Sequence, residues 1–361
     1  MISLGYISLA FGFVSAVYAA IASITAVKRN NSALLQSARN AAYAVAVLNL
    51  VGYALLIYFL ISDRFDLHFV AQYSSRNLPI LYKISASWAG QEGSLLLWSL
   101  VLSVYSAIVM WQNRNKNHHL MPYVIGILMG IQAFFLFLLT FVTSPFLTST
   151  PAPTDGQGLN PLLQNHLMLV HPTTTYLGYV GFAVPFAFAM AALITGRLSD
   201  LWIASTRRWT LWAWFWLSIG IIAGAQWAYV ELGWSGYWAW DPVENAELMP
   251  WLVGTAFLHS VMIQERRGML KVWNMALIIV TFLLTLFGTL LVRSGILQSV
   301  HAFGENTLGA YFVGFILIVA LVAFRYLALR LSDLKGDNEF DSFVSRESTF
   351  LLNNLILVGS A

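Results

Sequence analysis

Histidine and tryptophan carry what chemistry this chain can do. Its 361 residues include seven histidines, fourteen tryptophans and no cysteine. Disulfide exchange, thiolate metal sites and iron–sulfur clusters are therefore excluded for the chain on its own. Ten of the tryptophans crowd between Trp202 and Trp251. Trp202, Trp209 and Trp212 suit an interfacial belt, where amphipathic indole rings sit at headgroup level. The run Gly233-Trp234-Ser-Gly236-Tyr237-Trp238-Ala-Trp240-Asp241-Pro242-Val-Glu244-Asn245-Ala246 suits a belt poorly. Anchoring does not need small and acidic residues at fixed offsets from the rings, whereas a concave apolar site with a few placed polar groups does. Flat rings, with Trp227 just upstream, form a shelf for a large planar ligand, and Gly236 lets that ligand approach the backbone. Asp241, Glu244 and Asn245 are expected to fix the rim or to cap a helix beginning near Glu247. A planar-ligand shelf and a structural interfacial loop both stand open at this level.

Two histidines flank this run. His171 opens His-Pro-Thr-Thr-Thr-Tyr, and His301 ends Arg-Ser-Gly-Ile-Leu-Gln-Ser-Val-His. Neutral imidazole is the usual axial ligand of haem iron. On one face of a membrane, with an aromatic shelf between them, the two would make a bis-His haem cradle; either alone reads as an ordinary loop residue. His68 and His166 have no telling context, and His118-His119 sit in a basic loop and read as solvated. His259 differs because it falls inside an apolar span. It lies ten residues from Met249 near the helix end, about 15 Å at the helical rise. That depth is near the midplane of a hydrocarbon core about 30 Å thick. A haem ligand, a proton relay and an interhelical hydrogen bond are its three readings.

The elements that position these residues are membrane helices. Hydrophobic residues make up 58% of the chain and charged residues 10%, against about 25% charged in soluble domains. Such a composition cannot coat a water-facing surface. No basic run is dense enough to engage nucleic acid. Spans of about 20 apolar residues are expected near 5–27, 41–61, 95–112, 122–143, 175–195, 210–228, 248–264, 272–293 and 310–330, giving an all-α bundle. The first has no small-residue cleavage site and reads as a retained helix. A tenth begins at Phe350 and has twelve residues before Ala361. It is too short to cross, so it is expected to continue in further sequence or a second polypeptide.

Lys28, Arg29 and Arg39, then Arg114 and Lys116, then Arg197, Arg207 and Arg208, then Arg266, Arg267 and Lys271, then Arg330, Lys335 and Arg346 occupy alternate loops. Positive loops face the cytoplasm, which puts the N-terminus outside. The segments Ser62–Ser94, Ser144–Thr174, Val230–Glu247 and Ser294–Gly309 share that outer side. The Pro- and Gly-rich stretch Pro145–Pro161 reads as a loop.

Trp234-Ser-Gly-Tyr-Trp-Ala-Trp-Asp241 resembles the "WWD" signature of the haem-handling superfamily. The strings Glu231-Leu-Gly-Trp, Pro242-Val-Glu-Asn-Ala with Met249-Pro-Trp-Leu, Trp88-Ala-Gly-Gln-Glu-Gly-Ser-Leu-Leu-Leu-Trp98, Gly288-Thr-Leu-Leu-Val-Arg-Ser-Gly295 and Ser345-Arg-Glu-Ser-Thr-Phe-Leu-Leu-Asn-Asn354 resemble its CcmF/NrfE cytochrome c haem lyase branch. The resemblance covers essentially the whole chain and implies a bacterial inner-membrane protein whose active face is periplasmic. It would accept haem b from the haem chaperone CcmE and attach it to the Cys-x-x-Cys-His motif of apocytochrome c, with maturation subunits such as CcmH and CcmI. By the resemblance, His171 and His301 ligate the incoming haem and the Trp-rich loop, about 227–251, is its platform. His259 is one of two ligands of an intramembrane b-haem for which quinol is the implied reductant. Ser235 and Tyr237 depart from the Gly and Trp common in the family. No other expected span holds a histidine, so the second intramembrane ligand is expected from beyond Ala361 or from another polypeptide. No general acid stands out, since capping explains Asp241 and Glu244 equally well. Two other functions compete. A CcmC-like haem loader fits less well with the strings at Trp88–Trp98 and Gly288–His301. A secondary transporter would concentrate charges and broken helices at the midplane.

Overall fold

The computed structural model describes residues 1–233, 236–295, 299, 307–334 and 346–361. Among these, nine helical segments are long and apolar enough to cross a membrane, and the chain is a polytopic membrane protein. In such a solvent each span must satisfy its own backbone, which a helix does. The helices are longer than the apolar windows, because they run on into polar flanks where caps take over.

The chain divides into two compact units, residues 1–176 with 223–237 and residues 177–222 with 238–361. In the first unit, α1 (Ile2–Lys28) and α2 (Ser32–Ile61) form a hairpin capped by the Asn31 side chain. Small residues, among them Gly12, Ala16, Ala19 and Ser23, line the buried face of α1, which lets helix backbones approach closely. α5 (Gln91–Gln112) and α6 (Met121–Phe137), the latter ending in a π turn over Leu138–Val142, complete this bundle. Buried amides join three of its helices. Ser99 Oγ donates to Asn49 Oδ1 at 2.8 Å, and Gln132 Nε2 donates to Ser99 Oγ at 2.6 Å. Trp98 stacks on Phe135 at 3.7 Å beside them.

Two short helices, α3 (His68–Tyr73) and α4 (Ile80–Ala89), lie in the stretch read from sequence as a single outer segment. Neither has the unbroken apolar run of a span. α4 is held by specific contacts: Lys83 Nζ pairs with Asp63 Oδ1 at 2.6 Å, and the Ser87 and Tyr53 hydroxyls share a hydrogen bond of 2.9 Å. Tyr73 is half-buried against Phe69. Burial, and secondarily the charge of Glu92, pushes its hydroxyl up to about 12. Pro145–Pro161 is irregular, as expected, with one bridge from Thr148 to Leu67.

The next span, Leu167–Thr195, crosses the unit boundary. It is built of α7 (Leu167–Gly181) and α8 (Ala183–Thr195), and Gly196 closes α8 in the left-handed conformation at φ 71°. α9 (Leu201–Glu231) also passes from one unit to the other. The second unit contains α10 (Pro242–Arg267), α11 (Lys271–Ser294), α12 (Leu308–Leu329) and the short α13 (Arg346–Ser360). α10 packs on α11 and on α13. At one end of α10 the chain Asp200–Gln264–Asn274 is hydrogen bonded at 2.8 Å per link, and Arg207 pairs with Glu265.

The belt expectation is corrected for two tryptophans. Trp202 is fully buried, tilted against Phe257, and Trp209 is buried as well. These rings pack on protein, and only Trp212 presents a large exposed face.

Candidate functional site

His171 sits inside α7, not in a loop before it, because the helix begins at Leu167. Pro172 follows it within the helix. Three threonines then fold back onto the preceding turn. Thr173 Oγ1 donates to the Leu169 carbonyl at 2.8 Å, Thr174 Oγ1 to Val170 at 2.7 Å, and Thr175 Oγ1 to His171 at 2.8 Å. Such back-bonding competes with the regular ladder and bends helices. The Met168 carbonyl accepts from Trp88 Nε1 at 3.2 Å. The half-buried imidazole lies against Gly224 of α9. A Cβ there would fall 2.6 Å from the ring Cε1 and 2.7 Å from Nδ1, so only glycine leaves the ring its place.

Trp227, one turn further along α9, is buried. It is 3% exposed, packs with Ala228, Leu232, Leu163 and Leu167, and donates from Nε1 to the Leu162 carbonyl at 3.1 Å. Its ring and its N–H are both used in holding the approach to α7. Asn165 Nδ2 adds a bond to Glu231 Oε1 at 2.6 Å.

The loop expected over about 227–251 is confined to 232–241, because α9 runs to Glu231 and α10 begins at Pro242. In the first unit, Tyr237 stacks on Tyr229 with centroids 4.4 Å apart and planes at 11°, and both rings are exposed. In the second, Trp238 and Trp240 meet edge to face at 6.4 Å, and Trp240 is 73% exposed. Trp240 has φ 58°, a left-handed conformation that costs a bulky L-residue energy. The loop is pinned from the helix side. Asp241 is the N-cap of α10 and accepts from Val243 N at 2.9 Å. Glu244 Oε2 accepts from the backbone of Ala239 at 2.9 Å and of Asp241 at 3.2 Å. Asn245 Nδ2 reaches the Trp240 carbonyl, and Ser299 Oγ donates to Asp241 Oδ1 at 2.8 Å. The acidic residues are thus a capping box, and the helix starts five residues before Glu247. Sequence patterning did offer this signal, as Asp-Pro-x-Glu, but the apolar window obscured it. Trp234 and His301 lie outside the described residues, and Gly236 is half-buried in the loop.

His259, in α10, is half-buried. Its Nδ1 lies 3.5 Å from Asn353 Nδ2, and its ring is tilted against Phe350 at 6.3 Å, both on α13. The residues that sequence reasoning missed are Trp88 and Gly224. The clue for Trp88 was Pro172, which leaves an unserved carbonyl one turn before it.

Residues 88–298 match the family described as Cytochrome C assembly protein. The chain is 43% identical to the cytochrome c-type biogenesis protein CycK of Rhizobium meliloti, over 99% of this chain and 53% of that protein. It is 40% identical to CcmF of Haemophilus influenzae, over 98% and 55% of the two. The NrfE protein of the same organism is 38% identical over 98% and 56%. A solved structure titled Cytochrome c Heme Lyase CcmF superposes with a TM-score of 0.82 at 33% identity, covering 99% of this chain and 54% of that one. The chain spans about half the length of the relatives it matches. A family match from Trp88 through the Trp-rich loop, joined to relatives of the CcmF and NrfE type along nearly all of its residues, places the chain in the cytochrome c assembly protein family.

Proposed function

We propose that this protein acts as a cytochrome c haem lyase, on the face of the inner membrane that carries its N-terminus. Its substrates are haem b, delivered by a chaperone of the CcmE kind, and an apocytochrome c bearing Cys-x-x-Cys-His. Further maturation subunits of the CcmH and CcmI kind complete the assembly. The observation that carries this reading is the aromatic loop. It holds Trp240 largely exposed in a strained conformation, and strain of this kind persists where surrounding structure over-determines it, often at ligand clamps. Tyr237, Trp238 and Trp240 offer flat apolar faces to a porphyrin. Gly236 and Trp234 complete the same run, and Asp241 sets its rim through the helix cap.

His171 and His301 serve as axial ligands to the iron of the incoming haem until the substrate's own histidine replaces one. The bond-forming step adds a cysteine S–H across a haem vinyl group: sulfur bonds to one vinyl carbon and the proton goes to the other. This chain contributes orientation, and holding reacting atoms near contact distance lowers such barriers by several kcal/mol or more. These 361 residues hold no thiol, so the reductant of the substrate cysteines comes from outside them.

His259 fits as one ligand of an intramembrane b-haem, a group that would supply electrons to the incoming iron, with quinol as the reductant. Its half-buried ring faces a neighbouring helix and not only lipid.

The test is maturation of a reporter cytochrome c in cells that rely on this protein, with covalent haem read on denaturing gels. Trp240→Ala and His171→Ala should abolish the covalent product while the membrane protein still accumulates. Normal covalent haem in both variants would remove the reading.

A further inference from the structure

In an α-helix the carbonyl of residue 168 accepts from the N–H of residue 172. Residue 172 is proline and has no N–H to give. The missing donor comes from far along the chain. The indole Nε1 of Trp88 lies 3.2 Å from the Met168 carbonyl oxygen. Trp88 is itself immobilised: it is buried, and its helix α4 is tied down by the Lys83–Asp63 ion pair and by Ser87 on Tyr53. The next three carbonyls, of Leu169, Val170 and His171, each receive a threonine hydroxyl. Every carbonyl from 168 to 171 therefore has a side-chain donor, in the turn that ends on His171. Three of the four donors come from the next turn of α7 itself, whereas Trp88 ties the turn to another helix, α4. Gly224 then leaves room for the imidazole.

We propose that Trp88 is a positioning residue for His171. Its indole N–H replaces the amide that Pro172 removes, and so fixes the direction in which His171 offers its imidazole to iron. This rests on the reading of His171 as a haem ligand. Losing a partner that orients a metal-ligating histidine typically costs about ten- to a hundredfold in affinity. In this case the partner acts on the histidine's backbone turn.

The alternative is that Trp88 only fills space, and Trp88→Phe separates the two, since it keeps most of the ring and loses the N–H. The experiment uses the purified membrane protein titrated with ferric haem, read by the absorption and electron paramagnetic resonance of the low-spin iron. Trp88→Phe should weaken binding about tenfold or more and raise the high-spin fraction. Pro172→Ala restores the helix's own donor to Met168, so Trp88→Phe added to Pro172→Ala should change binding less than about twofold relative to Pro172→Ala alone. His171→Ala sets the value for a lost ligand. A second readout needs no haem: amide exchange across residues 167–176 should accelerate in Trp88→Phe but not in the double variant relative to Pro172→Ala. Wild-type binding and exchange in Trp88→Phe would overturn the proposal, as would an equal loss in both backgrounds. If His171→Ala left the iron spectrum unchanged, the ligand reading would fall. The exchange comparison would then decide alone whether Trp88 anchors the turn, with equal exchange in both backgrounds overturning it.

Discussion

Trp88 and Trp227 are buried, and each donates its indole N–H to a backbone carbonyl in the stretch leading to His171. Trp238 and Trp240 stand in a six-residue run held at its C-terminal end by a helix cap, with Trp240 largely in solvent. The side chain is the same, and the difference lies in which of its two properties is used. In the first pair the ring fills a core and the N–H repairs the backbone, so the residue is scaffold. In the second pair Trp240 is presented outward with the half-buried Trp238 at its edge, and the rigidity comes from Asp241, Glu244 and Asn245. A tryptophan cluster in a membrane protein is thus not one feature, and burial with N–H engagement sorts its members.

The largest expected effect separates the two pairs directly. Trp227→Ala empties a packed site and leaves the Leu162 carbonyl without its donor, a change that costs about 3 to 5 kcal/mol for a buried aromatic ring. Trp240→Ala touches an exposed ring and should stay within about 0.5 kcal/mol. Thermal unfolding of the detergent-solubilised variants measures both. Similar destabilisation in the two would erase the distinction between scaffold and presented ring.

The second effect tests where the loop's rigidity resides. Asp241→Ala removes the acceptor for Val243 N and for Ser299 Oγ, and loss of an N-cap costs about 0.5 to 2 kcal/mol. Stability and haem retention should fall together in this variant. In Trp240→Ala only haem retention should fall. A stable Asp241→Ala protein that binds haem normally would mean that the rings hold themselves.

The third effect runs in the opposite direction. At φ 58° a side chain other than glycine is strained by about 1 to 2 kcal/mol. Trp240→Gly should therefore raise stability by about 1 kcal/mol while weakening haem capture. A protein both more stable and less competent would show that the strain serves presentation. A fall in both quantities would place the ring among the scaffold residues after all.

How much of this was legible in the sequence follows the physics of each signal. The nine spans were readable because hydrocarbon thickness imposes a length on apolar runs. Their ends were not, since α10 starts on Asp241 and Pro242, residues that an apolar window rejects. α3 and α4 escaped notice because helices of six and ten residues with mixed composition resemble loop. Trp202 and Trp209 read as belt because proximity in sequence does not give orientation. The Asp241–Glu244 relation was visible as a capping pattern. Trp88's role was invisible from its own neighbourhood, because its partner is a backbone carbonyl 80 residues away, and a carbonyl has no sequence signature. Only Pro172 marked where that carbonyl would be.

The smallest effect concerns acid, and it falls on the scaffold side, where ion pairs fix the turn before α3. Arg64 donates from Nε and Nη2 to the two oxygens of Asp66, at 2.9 and 2.7 Å. These hydrogen bonds hold the Asp66 carboxyl below its ordinary range, against a smaller opposing effect of burial. A carboxylate depressed in the folded state stabilises the fold fully above its unfolded value, about 3.9, and that contribution disappears as pH falls through the folded value. The side chains are 40% and 35% exposed, so solvent screening keeps the contribution below about 1 kcal/mol. Asp66→Asn should accordingly lower the melting temperature slightly at pH 7 and flatten its dependence on pH below about 4. Added salt should shrink the difference from the wild type. The Lys83–Asp63 pair, at 8% and 25% exposure, gives the internal contrast. It holds the helix that carries Trp88, so Lys83→Met should lower haem affinity as well as stability, whereas Asp66→Asn should leave haem affinity alone. If Asp66→Asn weakened haem binding as much as Lys83→Met, the anchoring of His171 would be spread over the whole 62–90 segment and not concentrated in α4.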